Sequence, residues 1–392
     1  MAAAEMPVSI VRCDGYRRDE VRKAVREAIG LIGGVGIFAS PGETVLVKPN
    51  MLQGSDPGRC VTTHPEVVFA VAELLAEHGC RVMIADSPGA GIVYSEGNLR
   101  RAYAASGFTA VAEELGIDLN LDPGHEEVPF PGGEVMKRFS IITPALKADA
   151  IVVVSKAKTH MWTRMSGAAK NLFGLIPGFE KPAFHFRFRD EAQFGRMLVD
   201  LNELVKPRLQ IMDAVVGMEG DGPQSGTPRK IGAVLASGSY TAMDVVLARL
   251  IGYDPLEIGS IRDAANRGLI DPDFAGIVTR GVPPDEIAVP DFKKPSTYAG
   301  SGTGIWRRAL LAVVQRFGAA YALSPKVDET RCTGCRKCER ICPMSAITVR
   351  DGRAVIDLAK CIRCYCCHEM CTEEAIALER SRIGRLIAGL LG

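Results

Sequence analysis

Nine of the chain's twelve cysteines fall between Cys332 and Cys371, while Cys13, Cys60 and Cys80 stand alone. Cys332, Cys335, Cys338 and Cys342 follow the spacing C-x2-C-x2-C-x3-C, with Pro343 next. Cys361, Cys364, Cys367 and Cys371 repeat that spacing 29 residues later, and Ala346-Ile347 and Ala375-Ile376 keep the same offset. Three thiolates in one tight loop can reach three irons of a cubane, while the fourth cysteine points away to the other cluster. Two 4Fe–4S clusters are therefore expected. One takes Cys332, Cys335, Cys338 and Cys371, and the other takes Cys361, Cys364, Cys367 and Cys342. Zinc sites pair C-x2-C motifs across longer gaps, and disulfide frameworks belong to short secreted chains. Neither pattern fits.

Residues 325–378 resemble the bacterial two-cluster ferredoxins. Thr372 departs from that pattern, standing where a proline usually follows the last ligand, and Cys366 is a ninth thiol, expected to be buried beside the ligands, with a swap into the ligand set as the alternative. Arg331, Arg336, Lys337, Arg340, Lys360 and Arg363 surround the ligands. They read as a solvated basic face, with docking of an acidic electron donor as the alternative.

A second set of chemistry-bearing residues follows the β-rich runs of the first 290 residues. Lys48 and Asn50 come after TVLV, Asp86 after RVMIA, and Lys156, Lys158 and His160 after AIVVV. Asp213 to Gly222 follows LQIM and carries Glu219 and Asp221. In open α/β sheets ligands bind beyond the carboxyl ends of the strands, so these clusters are expected to converge on one edge. In SGAAKNLFGLIPG, residues 166–178, Ser166 is expected to cap a helix whose free N–H groups attract anions, with Lys170 and Asn171 one turn in. Lys181 and His185 follow. Lys48, His160, Lys170 and His185 are assigned to orienting an anionic group or moving protons. Asn50, Asp86, Lys156, Lys158, Ser166 and Asn171 are assigned to binding.

Elements that would position them alternate along the chain. Strands are expected at 8–11, 44–47, 81–85, 150–154, 209–212 and 231–236, and helices at 19–32, 65–78, 191–205 and 241–251. This alternation predicts an α/β fold with a mainly parallel sheet and helices on both faces, plus a small C-terminal α+β ferredoxin domain. The run IVVV at 151–154 has the uniform apolarity of a central strand. Gly132-Gly133 predicts an inserted hairpin within 126–142. The expected domains are an α/β domain at 1–292, a linker and amphipathic helix at 293–324, the ferredoxin domain at 325–379 and a C-terminal helix at 380–392. The helix at 306–323 reads as a packing helix between domains, or as one lying on a membrane or partner.

The 47 basic and 46 acidic side chains leave a formal charge of +1, which gives no electrostatic footprint for nucleic acid or an anionic membrane. No signal-peptide pattern and no membrane-spanning run is read, so a cytoplasmic location is expected. No G-x4-G-K-[ST], G-x-S-x-G or H-E-x-x-H motif occurs.

The words VKPNML, THPEVV, ADSPG, KAKTH, SGAAKNLFGLIPG and MDAVVGMEGDGP resemble the family called domain of unknown function 362, over about 8–260. That resemblance implies the α/β fold and the fused ferredoxin tail rather than a reaction. Lys156 to His160 with SGAAK is also weakly similar to the N-terminal domain of lactate racemase, which holds a nickel-pincer nucleotide. The leading expectation is an iron–sulfur oxidoreductase that moves electrons through two 4Fe–4S clusters to a small-molecule site. Its partners would be an electron donor or acceptor protein and a small anionic substrate. Two alternatives stay open: an electron-transfer adapter without catalysis, and an isomerase-like domain with a metal–organic cofactor. An additional organic cofactor and the oligomeric state are also left open.

Overall fold

The computed structural model describes residues 5–89, 92–188, 190–298 and 323–379. The helices expected at 306–323 and 380–392 lie outside the described residues, apart from Leu323.

In chain order the strands of the α/β domain are β1 (Met6–Arg12), β2 (Thr44–Pro49), β3 (Arg81–Ile84), β4 (Asp118–Leu119), β5 (His125–Pro129), β6 (Arg138–Ile142), β7 (Ala150–His160), β8 (Arg164–Ser166), β9 (Leu209–Glu219), β10 (Thr227–Ser237) and β11 (Ile277–Gly281). The central sheet has the order β11-β1-β10-β9-β7-β2-β3-β4, and β8 pairs with the end of β7. Along that path only β10 runs against its neighbours. The other pairs are parallel. β5 and β6 form the separate hairpin expected around Gly132-Gly133.

Both faces of this sheet are covered, and alternation along single strands shows it. Val8 and Ile10 of β1 join one apolar cluster, while Val11 joins the other. On β10, Ala233 and Leu235 go with the first pair and Val234 and Ala236 with Val11. Successive side chains of a strand point to opposite faces, so each cluster marks one face. Helices Arg18–Leu31 and Pro65–Glu77 cover one through Val21, Val25, Val67 and Val71. Helices Tyr240–Leu250 and Gly259–Asn266 cover the other through Met243, Leu247 and Ile261.

Lys293–Tyr298, within the expected linker, packs on the α/β domain. The Gly220 N–H donates to the Lys293 carbonyl at 2.8 Å, and the Tyr298 hydroxyl donates to Glu257 at 2.8 Å. Glu219 and Asp221 fasten this segment by accepting from the N–H groups of Lys293 and Ser296. That cluster therefore ties down backbone, and only Pro223 beyond it reaches the pocket described below.

In the C-terminal domain, β12 (Ser324–Val327) pairs antiparallel with β15 (Ile376–Glu379), and β13 (Ile347–Arg350) with β14 (Arg353–Ile356). One-turn helices Lys337–Ile341 and Cys366–Glu369 follow left-handed residues Arg336 and Tyr365. Gly334 and Arg363, and Ser345 and Glu374, also match at the 29-residue offset in positive φ. The duplication seen in the sequence thus extends to the turns that aim the cysteines.

Candidate functional site

Each half of the cysteine pattern rings its own recess. Cys332, Cys335, Cys338 and Cys371 line one of about 360 Å3, and Cys342, Cys361, Cys364 and Cys367 line another of about 350 Å3. The fourth cysteine of each motif has crossed to the other nest. Backbone N–H groups donate to sulfur from Ala354 to Cys332 and from Ala375 to Cys371 in the first, and from Ala346 to Cys342 and from Arg363 to Cys361 in the second. Among the described residues no three His, Cys, Asp or Glu side chains converge tightly enough for a single ion. Four thiolates around an open recess suit a cubane with irons at its corners, whereas a lone tetrahedral ion would draw them to one point. Cys366 is buried and its Sγ points at the Cys364 carbonyl, 3.8 Å away. Of the surrounding basic residues, Arg331, Arg336 and Lys360 have carboxylate partners at the surface.

The second site lies where the parallel strands β7, β2 and β3 end side by side. A pocket of about 570 Å3 opens there, lined by Lys48 near the end of β2 and Asn50 just beyond it, Asp86 beyond β3, and Lys158 and His160 of β7. Ser166, Lys170, Asn171, Lys181 and His185 complete that side. Nine of the ten α/β residues assigned from sequence are therefore brought together, and Lys181 joins them.

Lys156 is the exception. It ion-pairs with Asp213 at 2.9 Å and donates to the Tyr16 hydroxyl at 2.8 Å, away from the pocket. The polar residues after AIVVV do not sit on a loop: β7 continues to His160, because β8 pairs with Lys158–His160. The pairing of β7 with β9 shifts register between Lys156 and Lys158, which separates two lysines that a regular strand would keep on one face. Ser166 is not a helix cap either. It ends β8, and Gly167 precedes the short helix Ala168–Asn171. The anion at that helix start is internal: Asp244 accepts from the N–H groups of Ala168 at 2.6 Å and Ala169 at 3.0 Å. Burial pushes the Asp244 carboxyl up to about 7, against those two hydrogen bonds.

Within the pocket, Lys48 and Asp86 form a fully buried pair at 2.8 Å and offset each other. Asp86 also accepts from the N–H groups of Met51 and Ser87. Lys158 donates to Asn50 Oδ1 at 3.0 Å and the Val61 carbonyl at 2.7 Å. Lys181 donates to the carbonyls of Ser87 at 3.0 Å and Pro88 at 2.6 Å. Among the described residues neither has a carboxylate in contact. Burial, helped by neighbouring lysines, pulls each ammonium down to about 7. Lys170 is half-buried with no hydrogen-bond or ion-pair partner among the described residues, and its ammonium is also pulled down by burial.

Both histidines are neutral because burial disfavours the imidazolium: His160 falls well below its ordinary value and His185 to about 3. His160 Nδ1 accepts from the Trp162 N–H at 3.1 Å, so its proton sits on Nε2. That nitrogen faces Glu369 Oε1 at 3.6 Å. Among the described residues neither atom has a hydrogen-bond partner, nor does buried His185 Nδ1. His185 lies against Trp162 and Phe194 at ring distances of 4.5 and 5.2 Å.

Glu369 is the residue that sequence reasoning missed. It belongs to the C-terminal domain, two positions after Cys367, yet it lines the pocket of the α/β domain and is buried there. Burial raises its carboxyl to about 7, opposed by Lys170 and Lys158. The two domains are further joined by Arg59 and Glu374 at 2.7 Å.

Residues 45–249 match the family described as Domain of unknown function (DUF362), and 324–347 match a 4Fe–4S binding domain. The chain belongs to the DUF362 family. In this member the family domain and the iron–sulfur domain enclose one pocket. A thylakoid-associated protein of Synechocystis is 31% identical over 325 residues, which cover 81% of this chain and 96% of the relative. Among solved structures, the lactate racemase apoprotein of Thermoanaerobacterium thermosaccharolyticum is similar at a TM-score of 0.42 and 14% identity, over 65% of this chain. The chain spans 58% of that protein's length. A Thermotoga maritima protein is similar at a TM-score of 0.32 and 12% identity, over 56% of this chain and 55% of that one. Among the described residues no helix is long and apolar enough to cross a membrane.

Proposed function

We propose that this is an iron–sulfur oxidoreductase in which two 4Fe–4S clusters serve a small anionic substrate held in the lysine-lined pocket. Glu369 carries this reading: the loop that supplies cluster ligands also supplies a wall of the pocket. A cubane bound by Cys342, Cys361, Cys364 and Cys367 would exchange single electrons next to that wall. The chain's own residues do the rest. With Lys48 offset by Asp86, Lys158, Lys170 and Lys181 face one carboxylate, Glu369, which leaves a cationic excess for an anion. Lys158 and Lys181, with values near 7, can hold or release a proton at neutral pH, which suits proton transfer accompanying reduction or oxidation of the substrate. His160 presents an N–H and His185 an unpaired ring nitrogen to orient it. A cytoplasmic setting and a soluble electron-carrier partner belong to the same proposal.

The test uses protein purified without oxygen. About eight irons and eight sulfides per chain are expected. The clusters are reduced and mixed with small carboxylates and phosphate esters, and cluster absorption is followed. Reoxidation by one anion class, lost in Lys170→Met at unchanged iron content, supports the proposal. If no anion reoxidises the clusters, or Lys170→Met reacts as the native protein does, it fails.

A further inference from the structure

A second and larger recess lies at the same domain boundary, separate from the lysine pocket. It encloses about 1630 Å3, open to solvent, and both domains build it. The α/β side gives apolar walls from the loop after β3 and from 177–182. Val93 is 60% exposed and Phe179 48% exposed, unusual for side chains of this type. Phe179 is held edge-on to His125 at 5.6 Å, so its ring is placed. Arg101 on helix Glu96–Ala105 adds one cation, and Lys337 and Arg340 of the C-terminal domain add two. None of the three has a carboxylate partner among the described residues: Arg101 meets Asn98, Lys337 meets Thr372 at 3.1 Å, and Arg340 meets no polar side chain.

Unpaired cations facing an exposed aromatic and aliphatic wall make an amphiphilic site. A bare inorganic anion would leave the apolar wall wet, and a neutral ring would leave the cations unmatched. Guanidinium groups suit phosphate oxygens through paired hydrogen bonds. Lys337 also lines the nest of Cys332, Cys335, Cys338 and Cys371, so a ligand here lies against the first nest, while the lysine pocket takes Glu369, two positions after Cys367 of the second. The internal repeat explains the pairing of sites. Arg340 occupies in the first repeat the position that Glu369 occupies in the second, 29 residues on.

We propose that this recess binds a phosphorylated aromatic molecule of nucleotide size, with its ring on Phe179 and Val93 and its phosphate on Arg101, Lys337 and Arg340. The proposal does not depend on what the lysine pocket holds.

Equilibrium dialysis of the iron-loaded full chain tests it, with FMN and ADP as probes and riboflavin, adenosine and inorganic phosphate as their halves. At least one of FMN and ADP should bind, about tenfold or more tighter than either of its halves. Arg340→Glu and Phe179→Ala should each weaken that binding by about tenfold at unchanged iron content, and Lys170→Met should leave it as it was. Phe179 lies far from the cysteines in sequence, so its variant reads the site even if Arg340→Glu loses iron. Failure of both probes to bind overturns the proposal. So does binding that survives Phe179→Ala, or that disappears in Lys170→Met.

Discussion

The lysine pocket should bind anions with a steep dependence on pH, and the slope can be worked from two residues. Lys158 and Lys181 are both pulled to about 7 by burial. Around them stand Lys48, Lys156 and Lys170, the carboxylates Asp86 and Glu369, and the neutral His160 and His185. An anion binds the charged form, so apparent affinity scales with the protonated fraction of each lysine. For one lysine titrating at 7, that fraction falls about tenfold from pH 6 to pH 8; for two it falls about 100-fold. Binding at pH 8 should then take up close to two protons, and at pH 6 almost none. Oxalate is a suitable probe, since its own charge is constant across this range. Calorimetry in buffers of different ionisation enthalpy counts the protons directly. Lys158→Met should remove about a tenfold factor and close to one proton. Repeating the titration in Glu369→Gln takes the neighbouring carboxyl out of the balance. Oxalate affinity that is flat from pH 6 to pH 8, or binding with no proton uptake at pH 8, would refute the reasoning. The empty pocket has its own signature. Folded values of about 7 lie below the ordinary lysine value of 10.5, so the unfolded chain holds more protons between them. Stability therefore rises with pH across that window, and the cost of the buried lysines is full below it.

Lys48→Met should destabilise the α/β domain by about 3–5 kcal/mol in denaturant titration, because Asp86 is left buried without its cation, and adding Asp86→Asn should recover much of the loss. Gly174→Ala should abolish oxalate binding or folding, since its methyl group would press on Asp86 and Lys48 with no room to yield; a soluble variant with native affinity would contradict the packing. Asp244→Ala strips the Ala168 and Ala169 N–H groups of their buried acceptor and should cost about 1–3 kcal/mol, seen as a lower unfolding midpoint with weakened anion binding through Lys170. Cys338→Ala should lower iron by about four per chain in metal analysis, and unchanged iron would disprove its assignment.

Much of this architecture is written in local patterns. Period and apolarity alone locate helix Glu191–Val205 to the residue and mark β7 as central. The cysteine spacing sorts eight cysteines into two nests: the first three of each motif share a tight local loop, and the fourth crosses to the other nest. The pocket was legible where residues lie at or just past the carboxyl ends of parallel strands, as at Lys48, Asp86 and His160. It was illegible where a contact depends on distant pairing. Lys156 and Lys158 look equivalent in sequence, and only the register shift against β9 sends one to Asp213 and the other to Asn50. Ser166 carries a good capping side chain, but Asp244, 76 residues past Ala168, holds the helix start instead. Glu369 gave no signal at all. Its role comes from how the C-terminal domain docks, and a single sequence does not record that rigid-body choice.

The helix that presents Glu369 is one turn long, far too short to hold its shape unaided. It carries Cys367 and is followed by Cys371, one belonging to each nest. On the proposed reading, clusters in both nests would hold this wall of the lysine pocket in place. A chain short of iron would keep its large sheet and its lysines yet lack a finished pocket. On that reading, maturation of the clusters and competence of the pocket would be one event, and iron supply would then set how many copies can work.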